Sequence, residues 1–138
     1  MQKMKVEIDH LTLNVESPDV CVNFYTEVIG LTAENHDAWK EGKAKFPSVR
    51  INSHNMIHFF PPNMWEDQGD LICSPGKANH VCLAFADKEW KALLKRLAEH
   101  KITIKGPFIL GGSRGTGTSI FVVDPEGFTI ELKTYDND

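Results

Sequence analysis

The chain has 138 residues, of which 41% are hydrophobic and 25% charged, and its formal net charge at pH 7 is −4. This length and balance predict one globular domain or two small fused modules, and the slight acidity argues against nucleic acid or an anionic membrane as a partner. Three cysteines without a CxxC spacing, no signal-peptide pattern and no apolar run of membrane-spanning length predict a reduced, cytoplasmic protein.

The first half of the chain predicts a strand, a helix and three further strands. Alternation over residues 6–15 places His10 on the face opposite Leu11 and Leu13. Ser17-Pro18 is a typical helix start. The predicted apolar stripe of this helix is Val20, Phe24 and Val28. Further strands are expected at 31–35, 46–51 and 56–60, the last two joined by a turn at 52–55.

A linker is predicted at residues 61–77. It begins with Pro61-Pro62, which ends the preceding strand, and it is rich in acidic and turn-forming residues. We therefore expect a first βαβββ module over about 6–60 and a second over about 78–134.

The second half repeats the order of the first. Residues 78–86 alternate around His80, and Asp87 is expected to cap a helix. Residues 118–133 predict two strands around the turn Asp124–Gly127, and Glu131 lies on the face opposite Ile130 and Leu132. The predicted apolar stripe of the helix is Trp90, Leu93, Leu94 and Leu97.

An internal repeat relates four polar residues that are flanked by apolar neighbours. A shift of 70 residues places Asp9-His10-Leu11 on Asn79-His80-Val81, and a shift of 73 places His58 on Glu131. If the two halves are related by a pseudo-twofold axis, the four side chains can converge on one point.

Imidazole and carboxylate groups together predict a metal centre. Two His and one carboxylate with open positions suit divalent Fe, Mn, Ni or Zn. A single strand histidine is more often a core or edge residue, but the pairing of His10 with His80, and the equivalent position of Glu131, favour ligation. His58 is open to three interpretations: a fourth ligand, a general acid or base, or a pocket-lining residue.

Other polar residues have simpler interpretations. Cys82, on the face of His80, is expected to be a small buried hydrophobe rather than a ligand. The glycine-rich stretch 111–117 is expected to be a loop: either a solvated connection, or a lid from which Arg114 contacts an anionic substrate. His36 is expected in a surface loop, and the basic face of the second helix, including Arg96, in solvent.

These segments resemble the vicinal oxygen chelate superfamily, which includes glyoxalase I, fosfomycin- and bleomycin-resistance proteins and extradiol dioxygenases. The resemblance rests on residues 9–13 and 24–31, on Asn79-His80-Val81, and on the closing segment 121–132. It implies an α+β fold of two tandem βαβββ modules forming a curved, incomplete barrel around a divalent metal. His10, His80 and Glu131 match the family's shared ligand positions, and His58 stands where glyoxalase I-like members carry Glu.

Three functions are compatible with this resemblance. The first is a lyase, isomerase or transferase that uses its metal as a Lewis acid on a small oxygen-chelating substrate. The second is an iron-dependent extradiol-type dioxygenase, and the third is a resistance-type protein that binds a small molecule without chemistry. In this family the paired modules come from one chain or from two chains that exchange halves, and homodimers are common, so the resemblance also implies a homodimer.

Overall fold

The computed structural model describes residues 7–66 and 78–135. The chain divides into two compact units. The first comprises the described parts of Met1–Thr26 and Leu31–Ile72, and the second comprises Glu27–Gly30 with the described part of Cys73–Asp138. The predicted linker begins with a short helix, and its residues 67–77 lie outside the described part.

The first unit contains a four-stranded mixed sheet. The strand order is β1-β4-β3-β2; β1 and β4 are parallel, and the other pairs are antiparallel. Its elements are β1 (His10–Asn14), α1 (Pro18–Asn23), β2 (Thr32–Glu34), α2 (His36–Lys40), β3 (Ser48–Arg50), β4 (Met56–Phe60) and α3 (Pro62–Trp65).

The second unit has the same topology. The strand order is β5-β8-β7-β6, again with one parallel pair, between β5 and β8. Its elements are β5 (His80–Phe85), α4 (Asp87–Glu99), β6 (Lys105–Gly112), β7 (Gly115–Val123) and β8 (Thr129–Thr134). The predicted α+β class and the repeated βαβββ order are therefore confirmed, and neither sheet is closed into a barrel.

The first helix differs from its predicted stripe. After α1 the chain continues as a π-helical turn over Phe24–Val28. Phe24 and Val28 of the predicted stripe are buried, at 9% and 6% exposure. Tyr25 and Ile29 are fully buried, whereas Val20 is 50% exposed, so its place in the stripe was wrong.

The second helix buries most of its predicted stripe. Trp90, Leu93 and Leu97 are buried, and Leu94 stays partly exposed. Arg96 does not lie in solvent as expected: its Nε donates to Val28 O at 3.1 Å and its Nη2 to Ile29 O at 3.0 Å. These bonds satisfy carbonyl groups at the end of the preceding helical turn.

Two surface predictions for polar segments were wrong. His36 begins α2 instead of lying in a loop, and its Nε2 lies 2.7 Å from Asp19 Oδ1, with only 14% of the side chain exposed. The glycine-rich stretch is not a loop as expected, because β6 and β7 form a hairpin through it with Ser113-Arg114 as the turn.

None of the helices formed by the described residues is long and apolar enough to cross a membrane.

Candidate metal-ligand pairs

The first unit brings His10 and His58 together. β1 and β4 are adjacent and parallel, with His58 opposite Thr12 in the register. The two imidazole ring centroids lie 4.3 Å apart, tilted by 38°. The alternation of each strand directs both side chains away from the face that carries Ile57 and Phe59, which are fully buried.

The residue preceding His10 fixes its orientation. His10 Nδ1 donates to Asp9 Oδ2 at 2.7 Å. This hydrogen bond is the main reason that the pKa of the Asp9 carboxyl group is lowered. A proton held on Nδ1 leaves the Nε2 lone pair available to a metal ion, which is how carboxylates commonly orient metal-bound histidines.

His58 is held between aromatic and polar neighbours. Its Nδ1 lies 2.8 Å from Ser48 Oγ, and the ring centroid of Phe46 is 4.8 Å away. Desolvation by these surroundings, and secondly the nearby His10, lower the pKa of His58. The neutral imidazole, which both a ligand and a general base require, is thereby favoured.

An ion pair on the same sheet face was not anticipated from the sequence. Arg50 on β3 bonds through Nε to Glu34 Oε1 on β2, and its Nη2 lies 3.4 Å from Glu34 Oε2. Arg50 holds the pKa of Glu34 below its usual value. The available signal was opposite charges on neighbouring antiparallel strands, but it required the register to be known.

The second unit brings His80 and Glu131 together. β5 and β8 are parallel neighbours, and His80 Nε2 lies 3.2 Å from Glu131 Oε1. His80 Nδ1 donates to Asn79 Oδ1 at 2.6 Å, just as His10 does to Asp9. The anchoring acceptor therefore occupies the same repeat position in both units.

Glu131 is largely buried and is held through its other oxygen. The Ser119 hydroxyl donates to Oε2 at 2.7 Å, and the glutamate side chain is 10% exposed. Cys82 lies opposite Glu131 in the strand register and is exposed, so its expected burial was wrong. Local desolvation and the Glu131 carboxylate raise the pKa of the Cys82 thiol to about 11, so it stays protonated at neutral pH.

Arg114, the predicted substrate contact, lies in the β6–β7 turn. Its guanidinium carbon is 4.6 Å from the centroid of the Tyr135 ring.

The second unit also contains a cavity of about 480 Å³, and neither His80 nor Glu131 is among its lining residues. Phe121, which contributes to its wall, packs edge-on against the His80 ring at 5.9 Å. The remaining lining residues are Lys101, Ile102, Thr103, Lys105, Val122, Val123 and Thr129.

The donor set of these pairs fits a divalent metal. Nitrogen from neutral imidazole and oxygen from carboxylate are ordinary ligands of first-row metals. The anchored Nδ1 atoms direct Nε2 of His10 and His80 away from the side-chain acceptors Asp9 and Asn79. Across residues 7–66 and 78–135 the candidate ligands come together as pairs. Within these residues no three His, Cys, Asp or Glu side chains are grouped closely enough to hold a metal ion together.

Two repeated βαβββ units, each with an imidazole-containing pair on one sheet face, define the class of protein. The chain belongs to the glyoxalase/bleomycin resistance protein/dioxygenase superfamily, whose family model matches residues 7–132.

Named relatives and solved structures agree with this membership. The chain is 30% identical over 129 residues to the glyoxalase domain-containing protein RDO1 of Mycosarcoma maydis, covering 93% of this chain and 68% of that protein. It is 27% identical to the virulence protein STM3117 of Salmonella typhimurium, covering 93% and 83%. Among solved structures, the integron cassette protein VCH_CASS1 from the V. cholerae mobile metagenome superposes with a TM-score of 0.75 at 24% identity, covering 99% and 100%.

Proposed function

We propose that this protein is a divalent-metal-dependent enzyme that acts on a small substrate through two vicinal oxygen atoms. His10, His80 and Glu131 are the proposed ligands, and His58 is a fourth ligand or the general base. The observation that carries the proposal is the pair of anchored imidazoles: Nδ1 of His10 and of His80 each donates to the side chain of the preceding residue. An orientation repeated in both halves is expected of ligands and is not needed for packing, since both histidines are exposed.

The chemistry follows from the charges on these groups. A bound divalent cation would supply Lewis-acid polarisation of the substrate oxygens. His58, whose pKa is lowered, is unprotonated at neutral pH, so its Nε2 can accept a proton from the substrate. Ser48 at Nδ1 holds the ring in place while that proton is transferred.

An anionic substrate suits this site best. Three neutral imidazoles and one carboxylate leave a divalent centre with a net charge of about +1. The cavity of the second unit, which shares Phe121 with the surroundings of His80, carries Lys101 and Lys105 with no acidic residue among its lining residues, and Phe121 and Val123 give it an apolar wall. We therefore propose a small chelating anion with an apolar body as the substrate class, with Arg114 as a further anion contact.

The second candidate is an iron-dependent dioxygenase. The proposed ligand set favours it, because two His and one carboxylate are the ligands of many non-haem Fe(II) oxygenases. Oxygen consumption with a catechol-type substrate distinguishes it from the non-redox enzyme. A protein that only binds its small molecule would show neither reaction.

Elemental analysis followed by turnover assays tests the proposal. Purified protein should contain about one divalent ion for each set of His10, His58, His80 and Glu131. Removing that ion with a chelator should abolish turnover of an anionic chelating substrate, and adding it back should restore turnover. Protein that binds no divalent ion after incubation with Fe, Mn, Ni and Zn would contradict the proposal.

A further inference from the structure

Lys133 is fully buried, which is rare for lysine and requires hydrogen-bonding partners. Its Nζ donates to Leu110 O at 2.6 Å and to Ser119 Oγ at 3.1 Å. The aliphatic stem occupies space left by two glycines: a Cβ at Gly112 would lie 3.1 Å from Lys133 Cε, and one at Gly117 would lie 3.2 Å from it.

The hydrogen bonds of this lysine have a direction. Ser119 has a single hydroxyl proton, which it donates to Glu131 Oε2 at 2.7 Å, while its oxygen accepts from Lys133. Lys133 Nζ itself is 3.9 Å from Glu131 Oε2. The chain of donors therefore runs from the lysine through the serine to one oxygen of the glutamate.

The other oxygen of Glu131 points away from this chain. Oε1 lies 3.2 Å from His80 Nε2, the same nitrogen that the Asn79 anchor leaves available. With Oε2 occupied by the Ser119 hydroxyl, the carboxylate has one oxygen turned into the protein and one beside the histidine.

We infer that Ser119 and Lys133 are positioning residues that make Glu131 present a single oxygen, Oε1, to the metal. This inference rests on the proposed metal site. It concerns residues that lie on β7 and β8 beside the glutamate and that are not themselves ligands.

Positioning and simple electrostatics predict opposite effects for Lys133. A buried ammonium group 3.9 Å from Oε2 of the ligand carboxylate repels a nearby cation, so its removal alone should strengthen metal binding. If the lysine instead fixes Ser119 and, through it, Glu131, its removal should weaken binding even though a positive charge is lost.

The experiment titrates Co²⁺ into wild type, Ser119→Ala and Lys133→Met by calorimetry, with folding checked by circular dichroism. Loss of a hydrogen-bonding partner of a ligand typically lowers metal affinity 10–100-fold, and we expect a decrease of about this size for Ser119→Ala and about tenfold for Lys133→Met. The visible spectrum of bound Co²⁺ should change in both variants, because the coordination of the carboxylate changes.

Two matched controls separate this role from general effects. Thr134→Val removes a buried hydroxyl on β8, the strand of Lys133, that donates to Phe85 O on β5, and Lys91→Met removes one positive charge from the exposed face of α4. Both should keep wild-type affinity and spectrum. Ser119→Thr, which retains the hydroxyl, should recover most of the affinity lost in Ser119→Ala.

Each outcome is decisive. Folded Ser119→Ala with wild-type affinity and spectrum would overturn the inference, and so would tighter Co²⁺ binding by Lys133→Met. If Lys133→Met does not fold, Ser119→Ala decides alone. Failure of the wild type to bind Co²⁺ would overturn the proposed function and this inference together, whereas unchanged binding in both variants would overturn the positioning role only.

Discussion

Removing the acceptor beside each candidate histidine should weaken metal binding without removing a ligand. Asp9 and Asn79 hold Nδ1 of His10 and His80 at 2.7 and 2.6 Å. Without them each imidazole can rotate or place its proton on Nε2, and both changes compete with metal coordination. Both acceptors are exposed, so water partly replaces them, and the expected loss lies at the low end of the usual range, about tenfold for Asp9→Ala and for Asn79→Ala.

The variant Asp9→Asn separates orientation from charge. It retains an oxygen acceptor for His10 Nδ1, and it is the residue that the second half of the chain already uses at position 79. Since Asp9 is 89% exposed, its charge is screened, and Asp9→Asn should bind within about threefold of wild type. Calorimetric titration with Co²⁺ at pH 7 measures all three variants. Wild-type affinity in both alanine variants would refute the orienting role, and equal loss in Asp9→Asn and Asp9→Ala would show that charge, not orientation, is responsible.

Three further predictions concern activity, assembly and stability. The metal-loaded protein should show little isomerisation of the methylglyoxal–glutathione adduct, because His58 replaces the carboxylate that glyoxalase I-like proteins carry there; a kcat/KM of about 10⁴ M⁻¹s⁻¹ or more in a direct assay would contradict this. Light scattering at micromolar concentration should give the mass of a homodimer, the commonest symmetric assembly, and a monomeric mass would exclude it. Gly117→Ala should lower the free energy of unfolding in urea by about 1–3 kcal/mol, because its Cβ would lie 2.5 Å from Thr134 O. Gly111→Ala, which meets open space, should change it by less than about 1 kcal/mol, and equal losses in both variants would show that crowding is not the cause.

The sequence predicts the sheets well because strand alternation survives in the structure. Residues 56–60 form β4 with Ile57 and Phe59 buried and His58 on the other face, as the period of two requires. The same argument places Ile130 and Leu132 in the core opposite Glu131. The internal repeat then identifies which strands are equivalent, and the two strand orders agree with it.

The features that the sequence missed depend on contacts between distant residues. The π turn over Phe24–Val28, the burial of Tyr25 and the exposure of Val20 have no clear signature in the order of apolar residues. The glycine-rich stretch has the composition of a loop. Its glycines at 112 and 117 instead leave room for the buried side chain of Lys133, and this contact cannot be predicted from the local sequence. Ser119 has no distinguishing sequence motif, and its contact with Glu131 emerges only from the register of β7 and β8.

The central claim is that His10, His80 and Glu131 bind a divalent metal ion. Calorimetric titration of Co²⁺ into the wild type and into His10→Ala, His80→Ala and Glu131→Ala, with His100→Ala as a matched control at the exposed end of α4, tests it most directly. We expect saturable binding by the wild type and the control and loss of stoichiometric binding in the three ligand variants, with all five proteins folded by circular dichroism. Full metal occupancy in folded His80→Ala and Glu131→Ala would contradict the assignment.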